Sequence, residues 1–379
     1  MAPFDKHPVQ STAKSRVFCY DRIVSKIDNG ERLTKEDAHL LFACTDLDFL
    51  AKLSDFRRRQ INGNNVYFNQ NFHIEPSNVC IHRCRFCSYR RNDIEEEGAW
   101  AWSIEDMCRY SCQKYHSAIT EVHITGSAHP NRDLRFYADL VKALRATLPP
   151  QVTIKAFSAV EIDNMCRMAG VSHQDGLCLL KECGLSAIPG GGAEIFDPDL
   201  RKQICPDKTD AQTWLSIHDT AHRLGIASNA TMLFGHIETI EHQIDHLEQI
   251  RRQQDISGGF TAFIPLKFRS AHNEMSHLGE TNLLSTLRLF AISRLFLDNI
   301  PHIKAYWPML GKETTQMALL FGADDVDGTI QQSTKIYSMA GAEEDPSFTK
   351  EELRRVIEAA GYCAVERDSF YKKSYLCTN

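Results

Sequence analysis

No apolar run in the sequence approaches the roughly 18–20 residues that a membrane-spanning helix needs. The first stretch, Met1 to Arg16, has no apolar core, so a secretory leader is not expected. Long basic runs are missing too. Arg57-Arg58-Arg59 is short and lies beside a helical pattern, where it reads as a solvated helix end. With 43 basic against 49 acidic residues and a net charge of −6, the chain carries no footprint for nucleic acid. Low-complexity tracts, short repeats and long linkers are also lacking. These absences point away from membranes and nucleic acid and toward a cytoplasmic chain acting on small molecules. A hydrophobic content of 43% over 379 residues is enough for one large α/β barrel or two ordinary domains.

A disulfide scaffold is excluded on different grounds. Such scaffolds are short and carry even numbers of cysteines, whereas thirteen cysteines are scattered along this chain. Most read as free, buried thiols. One cluster does not: Cys80, Cys84 and Cys87 fall within CIHRCRFC, with C-x3-C-x2-C spacing.

Periodicity sets the frame for that cluster. Residues 1–65 read as a helical lead-in ending at Asn62-Gly63-Asn64-Asn65. From residue 66 to 361, short apolar runs alternate with longer amphipathic ones. The expected strands are Val66–Ile74, Glu121–Thr125, Val152–Phe157, Leu185–Pro189, Ser228–Leu233, Gly259–Phe268, His302–Trp307 and, weakest, Asp325–Thr329. Strand–helix alternation implies βα units on a parallel sheet. Eight units after a helical extension predict an α/β fold of the (β/α)8 TIM-barrel type, with an open doubly wound sheet as the alternative. Residues 362–379 are expected to pack on the barrel as a tail.

The cysteine cluster follows directly on the first expected strand. A loop there can wrap three thiolates around three irons of a cubane and leave the fourth iron open to a small molecule. A zinc site drawing on His82, Cys108 or Cys112, and three coincidental thiols, are the rival readings. Other strand ends are also polar. The second gives HITGSAHP, where Gly126 and Ser127 permit close approach of a ligand to the backbone. His129 reads either as an acid–base residue or as an ordinary loop histidine. After the third come Ser158 and Glu161, where the acid either bonds a ribose or caps a helix. The fourth gives PGGGAEIF, whose three glycines suggest close packing against a ligand, with Glu194 at the mouth. Arg201 and Lys208 follow, either pairing with a cofactor carboxylate or lying on a solvated surface. His236 stands at the mouth after the fifth strand. Lys267 and Arg269 on the sixth, and Lys304 and Tyr306 on the seventh, face the interior, where a lysine needs either an anionic substrate or a buried ion pair.

C-x3-C-x2-C after the first strand of a βα barrel resembles the radical-SAM superfamily. The resemblance implies a 4Fe–4S cluster on Cys80, Cys84 and Cys87, S-adenosylmethionine on the fourth iron, and Phe86 beside the adenine. GSAHP (126–130), AFSAVEI (156–162), PGGGAEIF (189–196), GHIET (235–239), HIKAYWPMLG (302–311), GADDVDGTI (322–330) and ERDSFY (366–371) are together similar to the aminofutalosine synthases of the futalosine route to menaquinone. PGGGAEI is shared with the related dehypoxanthine futalosine cyclases, and deazaflavin-forming synthases are a further alternative. The resemblance implies that S-adenosylmethionine is consumed as a co-substrate. Its adenosyl radical would add to the enol-ether double bond of 3-[(1-carboxyvinyl)oxy]benzoate. Aryl migration and loss of the carboxyl carbon would then give 6-amino-6-deoxyfutalosine. It also implies an electron donor of flavodoxin or ferredoxin type.

Overall fold

The structure is a computed structural model that describes residues 20–344, 346–372 and, for the backbone, 374–376. The remaining parts of the expected lead-in and tail lie outside the described residues. Seven parallel strands form a curled sheet in chain order: β2 (Asn71–Ile74), β3 (Glu121–Ile124), β4 (Thr153–Ala156), β5 (Ala187–Ile188), β6 (Ala227–Phe234), β7 (Phe260–Lys267) and β8 (His302–Ile303). Crossover helices join them, and their apolar faces cover the outside of the sheet.

The first expected strand is broken in two. Its first half, β1 (Asn65–Asn69), belongs to a second sheet with β9 (Asp325–Gly328), β10 (Cys363–Arg367) and β11 (Ser374–Leu376), in the order β11-β10-β1-β9. Gln70 marks the break, with its side chain bonded to Glu366 at 2.6 Å while its carbonyl accepts from Thr120. β9, the weakest expected strand, bridges the two ends of the curl. Backbone bonds join Asp324 to Ile303 and Ala305 to Asp325 on one side, and Tyr67 to Asp324 and Thr329 to Asn69 on the other. β10 was not among the expected strands, and it pairs in parallel with β1 and antiparallel with β11.

The expected strand His302–Trp307 is much shorter than its apolar run. β8 stops at Ile303, and a short helix begins at Trp307, so Lys304 and Tyr306 lie just past the strand, with Lys304 forming an isolated bridge to Asp325. A helix at Pro198–Ile204 was not expected. Asp197 caps it by accepting from the Asp199 and Leu200 amides, and Pro198 suits its first turn. The lead-in helices Lys35–Phe42 and Leu47–Asn62 pack on the helices Ile240–Ser257 and Leu283–Phe296, with capping by Thr34 and Asp46.

Below the barrel mouth lies a buried charged layer. Lys155 pairs with Glu121 at 2.6 Å, Lys304 pairs with Asp327 at 3.1 Å, and Arg367 pairs with Asp325. The ERDSFY segment closes this layer from beneath. Ser369 donates to Glu121 and the Tyr371 hydroxyl to Asp325, at 2.6 and 2.7 Å. Opposite charges this deep are held only because each has a partner.

Candidate active site

The cysteine loop leaves β2 through Pro76-Ser77-Asn78 and is pinned from several sides. The Ile81 amide donates to Ala128, the Cys80 amide to Arg91, and the Arg85 amide to Ile204, at 2.9, 3.0 and 2.8 Å. Ser127, one of the expected residues, donates its hydroxyl to Val79 at 2.6 Å. Cys80, Cys84 and Cys87 all line one cavity of about 90 Å³, and among the described residues no other cysteine lines it. Burial pushes the Cys80 thiol up and the Cys84 thiol far up, with Lys208 opposing the second shift. Lys208 offsets only part of this cost, and iron bound to the thiolates would offset the rest. Three thiolate donors fit a cubane with one iron left open. Of the residues in the zinc reading, His82 lines this cavity, whereas Cys108 and Cys112 sit on the helix Ile104–Lys114 and line neither cavity described here.

A larger cavity of about 270 Å³ adjoins it inside the barrel. Phe86, Cys87, Gly126, Ser158 and Lys208 line both. Gly126 has no room for a side chain, since a Cβ would stand 2.8 Å from the Ser77 carbonyl. Glu161 caps the helix Ala159–Ala169, as one of its two sequence readings expected, and makes further contacts. Its carboxylate accepts from the Ser158 amide and hydroxyl at 2.7 Å each, from the Gly126 amide at 3.1 Å and from the Thr125 hydroxyl at 3.2 Å. It thereby ties the glycine turn to the next helix start while lining the smaller cavity, and burial raises its pKa.

The glycine run after β5 is packed first against protein. A Cβ on Gly190 would meet the Asn229 carbonyl at 2.5 Å, and one on Gly192, where φ is +90°, would meet Val160 at 2.4 Å. Gly191 has space, and all three glycines border the larger cavity. Glu194, also at positive φ, pairs with Lys208 at 2.5 Å. Lys267 and Arg269 share Glu280, at 3.0 and 3.2 Å. Tyr306 lines the same cavity. Four cationic side chains therefore face this cavity (Lys208, Lys267, Arg269, Lys304) against two carboxylates, Glu194 and Asp327.

Three expected residues are placed elsewhere. His129 lines neither cavity: its Nδ1 accepts from the Asn131 amide at 3.1 Å, and burial lowers its pKa to about 4. Arg201 also lines neither. Its guanidinium donates to the carbonyls of Ala193, Ile195 and Thr209, clamping the loop that carries Glu194. His236 has an enclosed ring against Leu233 and Glu238, away from both cavities. A loop turns the two histidines into protein and the helix Pro198–Ile204 does the same for Arg201, which strand position alone does not reveal.

The sequence reading missed His73, His123, Tyr89, Asp327 and Tyr337, which all line the larger cavity. The two histidines were open to detection, because they sit mid-strand where apolar residues are the norm. Tyr337 comes from the loop after β9, which reaches over the mouth. Glu75 holds that loop by accepting from the Thr334 hydroxyl at 2.6 Å and the Lys335 amide at 2.9 Å.

Residues 74–250 match the Radical SAM superfamily, and residues 257–378 match the CofH/MqnC C-terminal region. Aminodeoxyfutalosine synthase of Thermus thermophilus is 42% identical over 93% of this chain and 95% of that protein. The synthase of Streptomyces coelicolor is 37% identical over 92% of each. The 5-amino-6-(D-ribitylamino)uracil–L-tyrosine 4-hydroxyphenyl transferase of Methanocaldococcus jannaschii is 35% identical over 90% of this chain and 97% of that protein. Among solved structures, methylornithine synthase (PylB) shares the fold with a TM-score of 0.72 at 18% identity, covering 90% of this chain and 96% of that one. The cysteine loop, the barrel and these relatives agree: the chain belongs to the radical SAM superfamily and is an enzyme that uses a 4Fe–4S cluster and S-adenosylmethionine.

Proposed function

We propose that this enzyme joins the 5′-deoxyadenosyl group of S-adenosylmethionine to 3-[(1-carboxyvinyl)oxy]benzoate, giving 6-amino-6-deoxyfutalosine for menaquinone biosynthesis. The observation that carries this is the charge around the larger cavity: Lys208, Lys267, Arg269 and Lys304 stand against Glu194, Asp327 and the Glu280 that Lys267 and Arg269 share, which leaves one positive charge in excess and suits an acidic substrate. When bound, the cluster and S-adenosylmethionine supply a carbon radical. The chain's own work is to place the enol ether beside it and keep other hydrogen sources out. Ile264, Leu266 and Phe268 give the cavity an apolar wall on one side. Lys267 and Arg269 face a carboxylate of the substrate, and Lys304, paired with Asp327, adds positive charge behind them. Phe86, Gly126, Ser158 and Glu161 are assigned to the cofactor end, where the two cavities meet. An external flavodoxin- or ferredoxin-type protein supplies the electron, and the enzyme works in the cytoplasm.

The second reading is favoured by the relatives named as hydroxyphenyl transferases, which act on tyrosine and a ribitylaminouracil and match nearly as much of the chain. A zwitterionic amino acid and a neutral uracil do not call for a cation excess. The test is anaerobic purification, cluster reconstitution, and incubation with S-adenosylmethionine, a reductant and each substrate set in turn. Mass spectrometry should find the adenosine–substrate adduct only with the enol-ether benzoate. A tyrosine–uracil adduct instead would overturn the proposal, and 5′-deoxyadenosine alone would retain the radical chemistry but reject this substrate.

A further inference from the structure

His73 and His123 are adjacent in the strand register of β2 and β3. Their rings stack, with centroids 4.6 Å apart and planes 20° apart, and both line the larger cavity. The other polar side chains of this inner wall are committed to protein. Lys304 is paired with Asp327, Asn229 donates to the Thr261 hydroxyl, and the Thr231 hydroxyl donates to Gly190. Nε2 of His73 has no partner among the described residues, although the residue is 3% exposed. An uncommitted buried ring nitrogen is costly unless a ligand completes it. Burial also lowers both pKa values, that of His73 to about 4, so the rings are neutral and each offers one N–H and one lone pair.

Their depth is set by the strand. Gly126, which borders the cysteine cavity, lies three residues beyond His123 and two past the end of β3, a span of at most about 10 Å for an extended chain. That interval is comparable to the length of a benzoate carrying a three-carbon ether in the meta position. We propose that His73 and His123 form the subsite for the aryl carboxylate, donating imidazole N–H groups to it, while the enol-ether end points up toward the cysteine loop. This assignment rests on the substrate reading above. It divides the work of recognition: Lys267 and Arg269 at the mouth take the carboxylate next to the reacting carbons, and the histidine pair measures the distance to the far end of the ring.

The test uses cluster-loaded enzyme with S-adenosylmethionine and two unreactive ethers. One is 3-(1-carboxyethoxy)benzoate, and the other, 2-phenoxypropanoate, lacks the aryl carboxylate. Calorimetric dissociation constants are measured for wild type, His73→Ala, His123→Ala and His73→Gln. A hydrogen bond to a charged group corresponds to roughly 10- to 100-fold in affinity. Each alanine variant should weaken the dicarboxylate by that factor while changing 2-phenoxypropanoate less than threefold, and glutamine should recover part of the loss. Equal losses for both ethers would mean that the histidines only support packing, and would overturn the proposal. Unchanged binding of the dicarboxylate would overturn it as well. Wild type that binds and converts the enol ether while the variants behave this way leaves the substrate reading standing. Wild type that forms no adduct removes the substrate reading and this subsite together.

Discussion

Replacing Arg201 by methionine distinguishes a loop clamp from a cofactor contact. The guanidinium is 5% exposed and donates to three carbonyls, those of Ala193, Ile195 and Thr209. A hydrogen bond to a charged group contributes about 1.5–3 kcal/mol, and a buried carbonyl left alone forfeits its own solvation. Methionine fills much of the arginine volume and has no charge to desolvate, which offsets part of the loss. The expected net cost is about 3 kcal/mol. Unfolding entropy near 2.1 cal/mol/K per residue gives about 0.8 kcal/mol/K for a chain of 379 residues, so Tm should fall by about 4 °C. The assay is anaerobic thermal unfolding by circular dichroism, paired with S-adenosylmethionine affinity at a temperature where both proteins are folded. Affinity should change less than threefold. An unchanged Tm with a tenfold or greater loss of affinity would refute the clamp and return Arg201 to the cofactor.

Alanine at Cys80, Cys84 or Cys87 should abolish the visible absorption of the reconstituted cluster and the cleavage of S-adenosylmethionine, whereas alanine at Cys205, which lines neither cavity, should retain both. Lys267→Met should raise KM for the enol-ether benzoate roughly 10-fold or more. It should leave Tm nearly unchanged, because Arg269 still holds Glu280; an unaltered KM would remove Lys267 from substrate recognition. Acid should destabilise the protein early. Burial holds His73 and His222 near 4 and His246 near 3, against about 6.5 in the unfolded chain. Between those values the unfolded state binds protons that the folded state refuses. Stability is therefore full above pH 6.5 and falls as pH drops toward 4, by up to about 1.4 kcal/mol per pH unit for each histidine. Denaturant midpoints measured from pH 7.5 to 5 should decline steeply below 6.5, and a flat profile would contradict the buried neutral histidines.

Several parts of this protein are determined by local sequence. The alternation of apolar strand and amphipathic helix is a local pattern, so the βα architecture could be read directly. The C-x3-C-x2-C loop is likewise local, since ligand spacing within eight residues needs no knowledge of the rest of the chain. Glycines at strand ends marked the walls of both cavities, and Glu161 three residues after Ser158 carried its capping box openly.

Other features were decided by distant parts of the chain. The break at Gln70 exists because Glu366, almost three hundred residues on, draws its side chain into a second sheet. Whether Lys304 meets protein or substrate depends on Asp327, which only the closing strand β9 brings within 3.1 Å. His129 and His236 have the right chemistry at strand ends, but loop geometry aims them at an amide and a neighbouring acid, while the helix Pro198–Ile204 turns Arg201 onto three carbonyls. His73 and His123 become a pair only through the register of β2 against β3. Periodicity and motif spacing are short-range properties of the chain. The direction of a loop side chain, and the charge that balances a buried lysine, follow from contacts that form only once the barrel has closed.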